Sequence, residues 1–125
     1  NLYNLLKLKQ KRSPIACILI DEAQFLTKEQ VWQLTDIVDH LGIVVIAYGL
    51  RSDYQGEPFE GSTYLMTLAD RIEELKTICE FGDKASMNMR LLDGVPIFEG
   101  QQVQIGGDES YIPVCRKYFK KQKRK

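Results

Sequence analysis

The sequence predicts an α/β protein in which a parallel βαβ unit is followed by a small hairpin-rich lobe. Two apolar runs, Ile15 to Ile20 and Ile43 to Tyr48, are each six residues long with no polar alternation, the pattern of strands buried on both faces. Between them Thr27-Lys28-Glu29-Gln30 has capping-box spacing, and Val31, Leu34, Ile37, Val38 and Leu41 follow at helical intervals. Beyond Cys79, glycines at 82, 94, 100, 106 and 107 cut the chain into short segments, which predicts hairpins.

Taken in order, Leu2 to Arg12 is dense in Lys7, Lys9, Lys11 and Arg12, and Pro14 disfavours helical geometry just before it. A frayed helical lead-in is expected. The first apolar run is a strand that ends abruptly in Asp21-Glu22. The helix that begins at Thr27 stops at Gly42, which takes the left-handed conformation without a Cβ penalty. Strand, helix and second strand form a right-handed crossover in a parallel sheet. Residues 49 to 62 read as a long loop that carries Tyr54 and Phe59 among Gly49, Gly56, Pro58 and Gly61. Thr63 to Asp70 predicts a short helix. Arg71 to Ile78 fits a helical stripe through Ile72, Leu75 and Ile78 but has strand length, and a strand is expected. In the lobe, Ser86 to Leu92, Val103-Gln104-Ile105 and Tyr111 to Val114 are the expected strands, and Cys115 to Lys125 a basic tail frayed at its end. The expected division is a core of residues 1–78 and a small lobe of residues 79–125.

With 125 residues, 44% apolar and 27% charged, the composition is that of a folded domain and excludes a disordered tail. Lys plus Arg, 17, balances Asp plus Glu, 17, so charge points to neither nucleic acid nor a membrane as partner. The apolar runs fall far short of the roughly 20 residues that span a bilayer. The N-terminal residues do not read as a secretory leader, so a cytoplasmic protein is expected. Cys17, Cys79 and Cys115 are odd in number and far apart, which argues for reduced thiols. Methionine occurs only at 66, 87 and 89, so the chain is expected to be a fragment.

The sharpest chemical feature is Ile18-Leu19-Ile20-Asp21-Glu22, two acids directly after an apolar strand. In nucleotide enzymes with a P-loop, this position holds a carboxylate that organises Mg²⁺ beside an acid that polarises a nucleophile. Ligands of open α/β sheets collect at the carboxyl ends of the strands, where these acids fall. The alternative is a polar loop of no special role. The loop from Gly49 to Phe59 leaves the next strand at the same sheet edge; Tyr54 and Phe59 either stack on a planar ligand or fold back into the core. In Gln102 to Tyr111, Gly106-Gly107 permits close backbone approach to a ligand, with Tyr111 as a cap, or forms an ordinary hairpin turn.

In combination these segments are far more specific. Ile20-Asp21-Glu22-Ala23-Gln24-Phe25-Leu26, the run from Tyr48 to Phe59, Leu75 to Cys79, Lys84 to Met87, Ile105 to Tyr111 and Val114 to Lys117 resemble the type II, cellular-type thymidine kinases, bacterial members included. The resemblance covers about residues 15 to 120. It implies a parallel-sheet P-loop (RecA-like) nucleotide-kinase core with a small C-terminal lobe of lasso and zinc-ribbon type. It also implies transfer of the ATP γ-phosphoryl group to the 5′-hydroxyl of thymidine, with Mg²⁺ as the cofactor, thymidine and ATP as partners, and a homo-oligomer, often a tetramer. Carried over by position, Glu22 matches the general base and Asp21 the acid that helps hold Mg²⁺. Ala23 and Gln24 belong to the same nucleotide-contacting strip. Phe25, Tyr54 and Phe59 match aromatics around the thymidine pocket, and Val103, Gln104, Ile105, Gly106 and Tyr111 match the loop that reads the base.

Two departures stand out. The phosphate loop G-x-x-x-x-G-K-[ST] does not occur: Lys76 is the only Lys followed by Ser or Thr, and no glycine precedes it at the needed spacing. The core is therefore read as truncated at its N-terminal side, and the 125-residue chain alone is not expected to be active. The zinc site of the family retains Cys79 and Cys115 but has no second ligand beside Cys79 and has Tyr118 where a ligand would stand, so zinc is not expected and Phe81 and Tyr118 are expected to pack in its place. His40 is read as a residue near a helix C-terminus rather than a catalyst. The competing readings are a nucleoside-binding or regulatory module without catalysis, and a RecA-like ATPase or helicase fragment built on Asp21-Glu22-Ala23-Gln24.

Overall fold

The computed structural model describes residues 1–103 and 109–125. The chain divides into two compact units, one of residues 1–51 and 59–72, the other of residues 52–58 and 73–125. The aromatic loop around Tyr54 therefore belongs with the C-terminal residues.

In the first unit, helix α1 (Leu2–Arg12) precedes strand β1 (Cys17–Ile20), a short 3-10 turn (Ala23–Phe25), helix α2 (Lys28–Leu41), strand β2 (Val44–Ala47) and helix α3 (Glu60–Leu68). β1 and β2 pair in parallel, Cys17 opposite Val44 through Ile20 opposite Ala47. The predicted βαβ order is present, and so is the capping box. Thr27 Oγ1 accepts from the Gln30 amide at 3.2 Å while Gln30 Oε1 accepts from the Thr27 amide at 2.9 Å. Gly42 ends α2 at φ 64°, ψ 28°. The stripe Val31, Leu34 and Ile37 is buried, and Leu34 and Ile37 join Leu6 and Ile43 in one core. Burying an aliphatic side chain of this size contributes about 1.5–3 kcal/mol.

Several expectations need correction. α1 is docked rather than frayed: Leu6 is buried, the Tyr3 amide donates to Gln33 Oε1 at 3.3 Å, and Gln10 Nε2 donates to the Leu41 carbonyl at 3.1 Å. The two strands are not buried on both faces. Ile18, Ile20 and Val45 pack on the core, while Leu19 is 67% exposed and Val44 and Ile46 are exposed beside it; among the described residues no element covers that side. α3 begins at Glu60 and not at Thr63. Arg71 to Ile78 is no strand: Ile72, Leu75 and Ile78 are exposed, and only Ile78 bridges, to Lys84. A strand needs a ladder partner for its amides and carbonyls, and no described strand pairs with this segment.

The second unit holds a three-stranded antiparallel sheet, β3 (Met87–Leu92), β4 (Val95–Ile97) and β5 (Glu109–Val114), in the order β4-β3-β5, followed by helix α4 (Arg116–Lys123). β3 and β4 join through Asp93-Gly94, both at positive φ (50° and 77°), the Asp-Gly signature of a two-residue hairpin turn. Pro96 and Pro113 lie on the two outer strands, where a missing amide is tolerated. Met89, Val114 and Phe119 form the core of this unit. The basic tail is thus helical over Arg116–Lys123, because Phe119 buries itself on the sheet, and only its last two residues lie beyond the helix. Of the expected strand at 103–105, Val103 lies in a bend; Gln104, Ile105 and Gly106 are outside the described residues.

Candidate active site

The acid pair sits where the parallel ladder ends. The Tyr48 amide donates to the Ile20 carbonyl and the Ala23 amide to the Tyr48 carbonyl, both at 2.8 Å, so the chain around Asp21 and Glu22 is tied on either side to the end of β2. Asp21 Oδ1 accepts from the Glu22 amide at 2.8 Å. Glu22 lies at φ 52°, ψ 38°, a left-handed conformation that costs a residue with a Cβ about 1 kcal/mol or more. Both acids are exposed.

Gln24, in contrast, is buried at 2% exposure. Its Nε2 donates to Glu22 Oε2, and its Oε1 accepts from the Leu50 amide at 3.3 Å. It therefore orients the Glu22 carboxylate from the stretch after β2. Ala23 is buried beneath the same turn. Two glycines make room: a Cβ on Gly49 would lie 2.8 Å from Gln24 Oε1, and one on Gly61 2.6 Å from the Ala23 carbonyl oxygen. Ser62 Oγ donates to the Leu50 carbonyl. In the same unit Phe25 and Phe59 meet edge to face, centroids 5.6 Å apart at 85°, with Phe59 buried and Phe25 half exposed.

The second unit gathers the other named residues. Tyr54 is 1% exposed, with its ring face under the Arg90 guanidinium at 3.6 Å. Arg90 Nε donates to Tyr111 Oη at 2.7 Å. The predicted residues thus fall into two groups, Asp21, Glu22, Ala23, Gln24, Phe25 and Phe59 in the first unit, and Tyr54, Val103 and Tyr111 in the second. Sequence reasoning missed Arg90, Asp53 and Gln102. The available signal was Arg90 itself, a charge inside the apolar strand Met87 to Leu92.

Cys79 and Cys115 are buried and reduced, and the rings of Phe81 and Tyr118 meet with centroids 4.9 Å apart, as expected. Burial works against the Cys79 thiolate, but the amides of Phe81 and Asp83 and the thiol and amide of Cys115 stabilise it, and its pKa lies below the ordinary thiol value. Two thiols beside Gly82 and Tyr118 do not make the four-ligand set of structural zinc. Among the described residues no group of three or more His, Cys, Asp or Glu converges.

No described helix is long and apolar enough to cross a membrane. The family model for thymidine kinase matches residues 1–119. The thymidine kinase of Lactiplantibacillus plantarum is 57% identical over 112 residues, 89% of this chain and 58% of the relative. That of Haemophilus influenzae is 54% identical over 121 residues, 96% of this chain and 63% of the relative. That of Legionella pneumophila is 54% identical over 123 residues, 97% and 59%. The chain thus spans about three fifths of the length of these relatives.

Proposed function

Because the chain belongs to the thymidine kinase family, we propose that the protein carrying it transfers the γ-phosphoryl group of ATP to the 5′-hydroxyl of thymidine, giving dTMP and ADP. The observation that carries this reading is the acid turn after β1, with Glu22 oriented by buried Gln24, in a chain 54–57% identical to enzymes of that name.

Glu22 is the general base that takes the 5′-hydroxyl proton, a role that needs a carboxylate held within hydrogen-bond reach of that hydroxyl. The bond from Gln24 restricts its rotamers. Asp21 and Glu22 present hard oxygen donors at an exposed strand end, which fits Mg²⁺; Asp21 is the residue that holds the ion, and the ion neutralises charge on the phosphates when bound. Phe25, Tyr54 and Phe59 border the nucleoside. Val103, Gln104, Ile105, Gly106 and Tyr111 read its base, and a polar base edge left unpaired there disfavours the wrong base.

The first unit is then part of a RecA-like P-loop core and the second a lasso-bearing lobe that has lost its zinc. The sequence contains no G-x-x-x-x-G-K-[ST], so the 125 residues alone are inactive and the phosphate loop is supplied from elsewhere in the protein. The working enzyme is cytoplasmic and homo-oligomeric. The test is phosphoryl transfer from γ-labelled ATP by the full-length protein. Labelled dTMP is expected with thymidine, and little product with purine deoxynucleosides; no transfer to thymidine overturns the reading.

A further inference from the structure

We propose that Arg90 is a positioning residue for nucleoside recognition, holding Tyr54 and Tyr111 in one arrangement; this rests on the reading above, which assigns both tyrosines to the nucleoside pocket. Arg90 lies on the central strand β3, directly opposite Tyr111 on β5, and is 0% exposed. A guanidinium in such a place is tolerated only when its donors are satisfied.

Its partners are specific. The Tyr54 ring lies 3.6 Å from the guanidinium carbon, a stacked cation–π contact. Nη2 donates to the Gln102 carbonyl at 3.3 Å. Gln102 Nε2 in turn donates to Asp53 Oδ2 at 3.0 Å, and Asp53 Oδ1 accepts from the amides of Gln55 (2.8 Å) and Glu57 (3.0 Å). One guanidinium therefore ties the turn that carries Tyr54 to the strand that carries Tyr111, all inside one compact unit.

The bond to Tyr111 has a chemical consequence. Arginine only donates and stays protonated at any working pH, so the 2.7 Å contact uses Tyr111 Oη as the acceptor. The phenolic hydrogen is then left to donate elsewhere, and Tyr111, 50% exposed, offers it as a donor to an acceptor on the ligand. Lysine cannot replace this arrangement, because an ammonium has neither the planar stack nor the fork.

The experiment uses the full-length protein and compares wild type, Arg90→Lys, Tyr111→Phe and the double variant. It reads kcat, KM for thymidine, KM for ATP, and thymidine Kd by calorimetry. Arg90→Lys is expected to raise thymidine KM and Kd about tenfold, the worth of one charge-assisted hydrogen bond, with ATP KM unchanged and kcat within about threefold. The double variant should lose less than the product of the two single losses, because the Arg90–Tyr111 bond is removed by both changes. Wild-type thymidine KM in Arg90→Lys, a fall in kcat alone, or multiplicative effects in the double variant overturn the proposal. If Arg90→Lys does not fold, Tyr111→Phe decides alone, and wild-type affinity there overturns it. Wild type that neither binds nor phosphorylates thymidine sinks the functional reading itself, whereas normal wild-type turnover with an unaffected Arg90→Lys sinks only the role of Arg90.

Discussion

Gly61 packs against the carbonyl of Ala23 so closely that a Cβ there would stand 2.6 Å from the oxygen, with the carbonyls of Leu26 and Gln24 at 2.7 and 2.8 Å. All three obstacles are backbone, so no side chain can swing aside. The N-terminal end of α3 therefore rests directly on the turn that follows Asp21 and Glu22. Gly61→Ala is expected to destabilise the protein by about 1–3 kcal/mol through overpacking. It should also lower phosphoryl transfer by moving the acids. Urea unfolding and the kinase assay measure the two effects, and a variant with wild-type stability contradicts the contact.

Glu22 combines strain with chemistry, and two substitutions separate them. Glu22→Gln keeps the shape and removes the carboxylate proposed as the base, so kcat in the full-length protein should fall about 10²- to 10⁴-fold with the unfolding midpoint nearly unchanged. Glu22→Gly also abolishes turnover but relieves the left-handed backbone at φ 52°, so it should be at least as stable as Glu22→Gln. Wild-type turnover in the first variant refutes the base, and a less stable second variant refutes the strain.

Tyr54 Oη is buried without a hydrogen-bond partner among the described residues. A buried hydroxyl with no partner lowers stability, so Tyr54→Phe should be neutral or stabilising by up to about 1 kcal/mol. The ring that Arg90 stacks on is retained. A loss above about 1 kcal/mol in denaturant titration would reveal a partner for the hydroxyl.

Cys79 makes stability depend on pH in a definite direction. Its folded pKa lies below the ordinary value, so the thiolate contributes stability that is fully present above the unfolded pKa and is lost as pH falls through the folded one. The stability difference between wild type and Cys79→Ser should therefore grow as pH rises into the thiol range. Unfolding midpoints of both proteins between about pH 6 and 10 test this, and a difference independent of pH contradicts it.

Much of the first unit was legible in the sequence because its signals are local. The capping box at Thr27 and Gln30, the stripe Val31, Leu34 and Ile37, and the stop at Gly42 each act within a few residues, and each is present as expected. The acid pair was legible for the same reason, as an abrupt polar end to an apolar run. The basic run after Cys115 misled because Phe119 was a single apolar residue among charges. Its burial depends on the sheet beneath it. The Asp93-Gly94 turn was a readable hairpin signal, and the strand after it, Val95–Ile97, went unnamed.

By itself the sequence determined the limits of α2 and the strand-helix-strand order of the first unit, since these follow from backbone sterics, periodicity and capping over short stretches. Only the tertiary structure decided which faces are covered. Residues 71 to 78 have strand composition but no ladder partner among the described residues, and within the described residues Leu19, Val44 and Ile46 stay exposed while Ile18, Ile20 and Val45 pack on the core. Only the pairing register of β3 with β5 brought Arg90 opposite Tyr111. Burial and charge pairing depend on groups far apart along the chain, and no local pattern encodes which of them will meet.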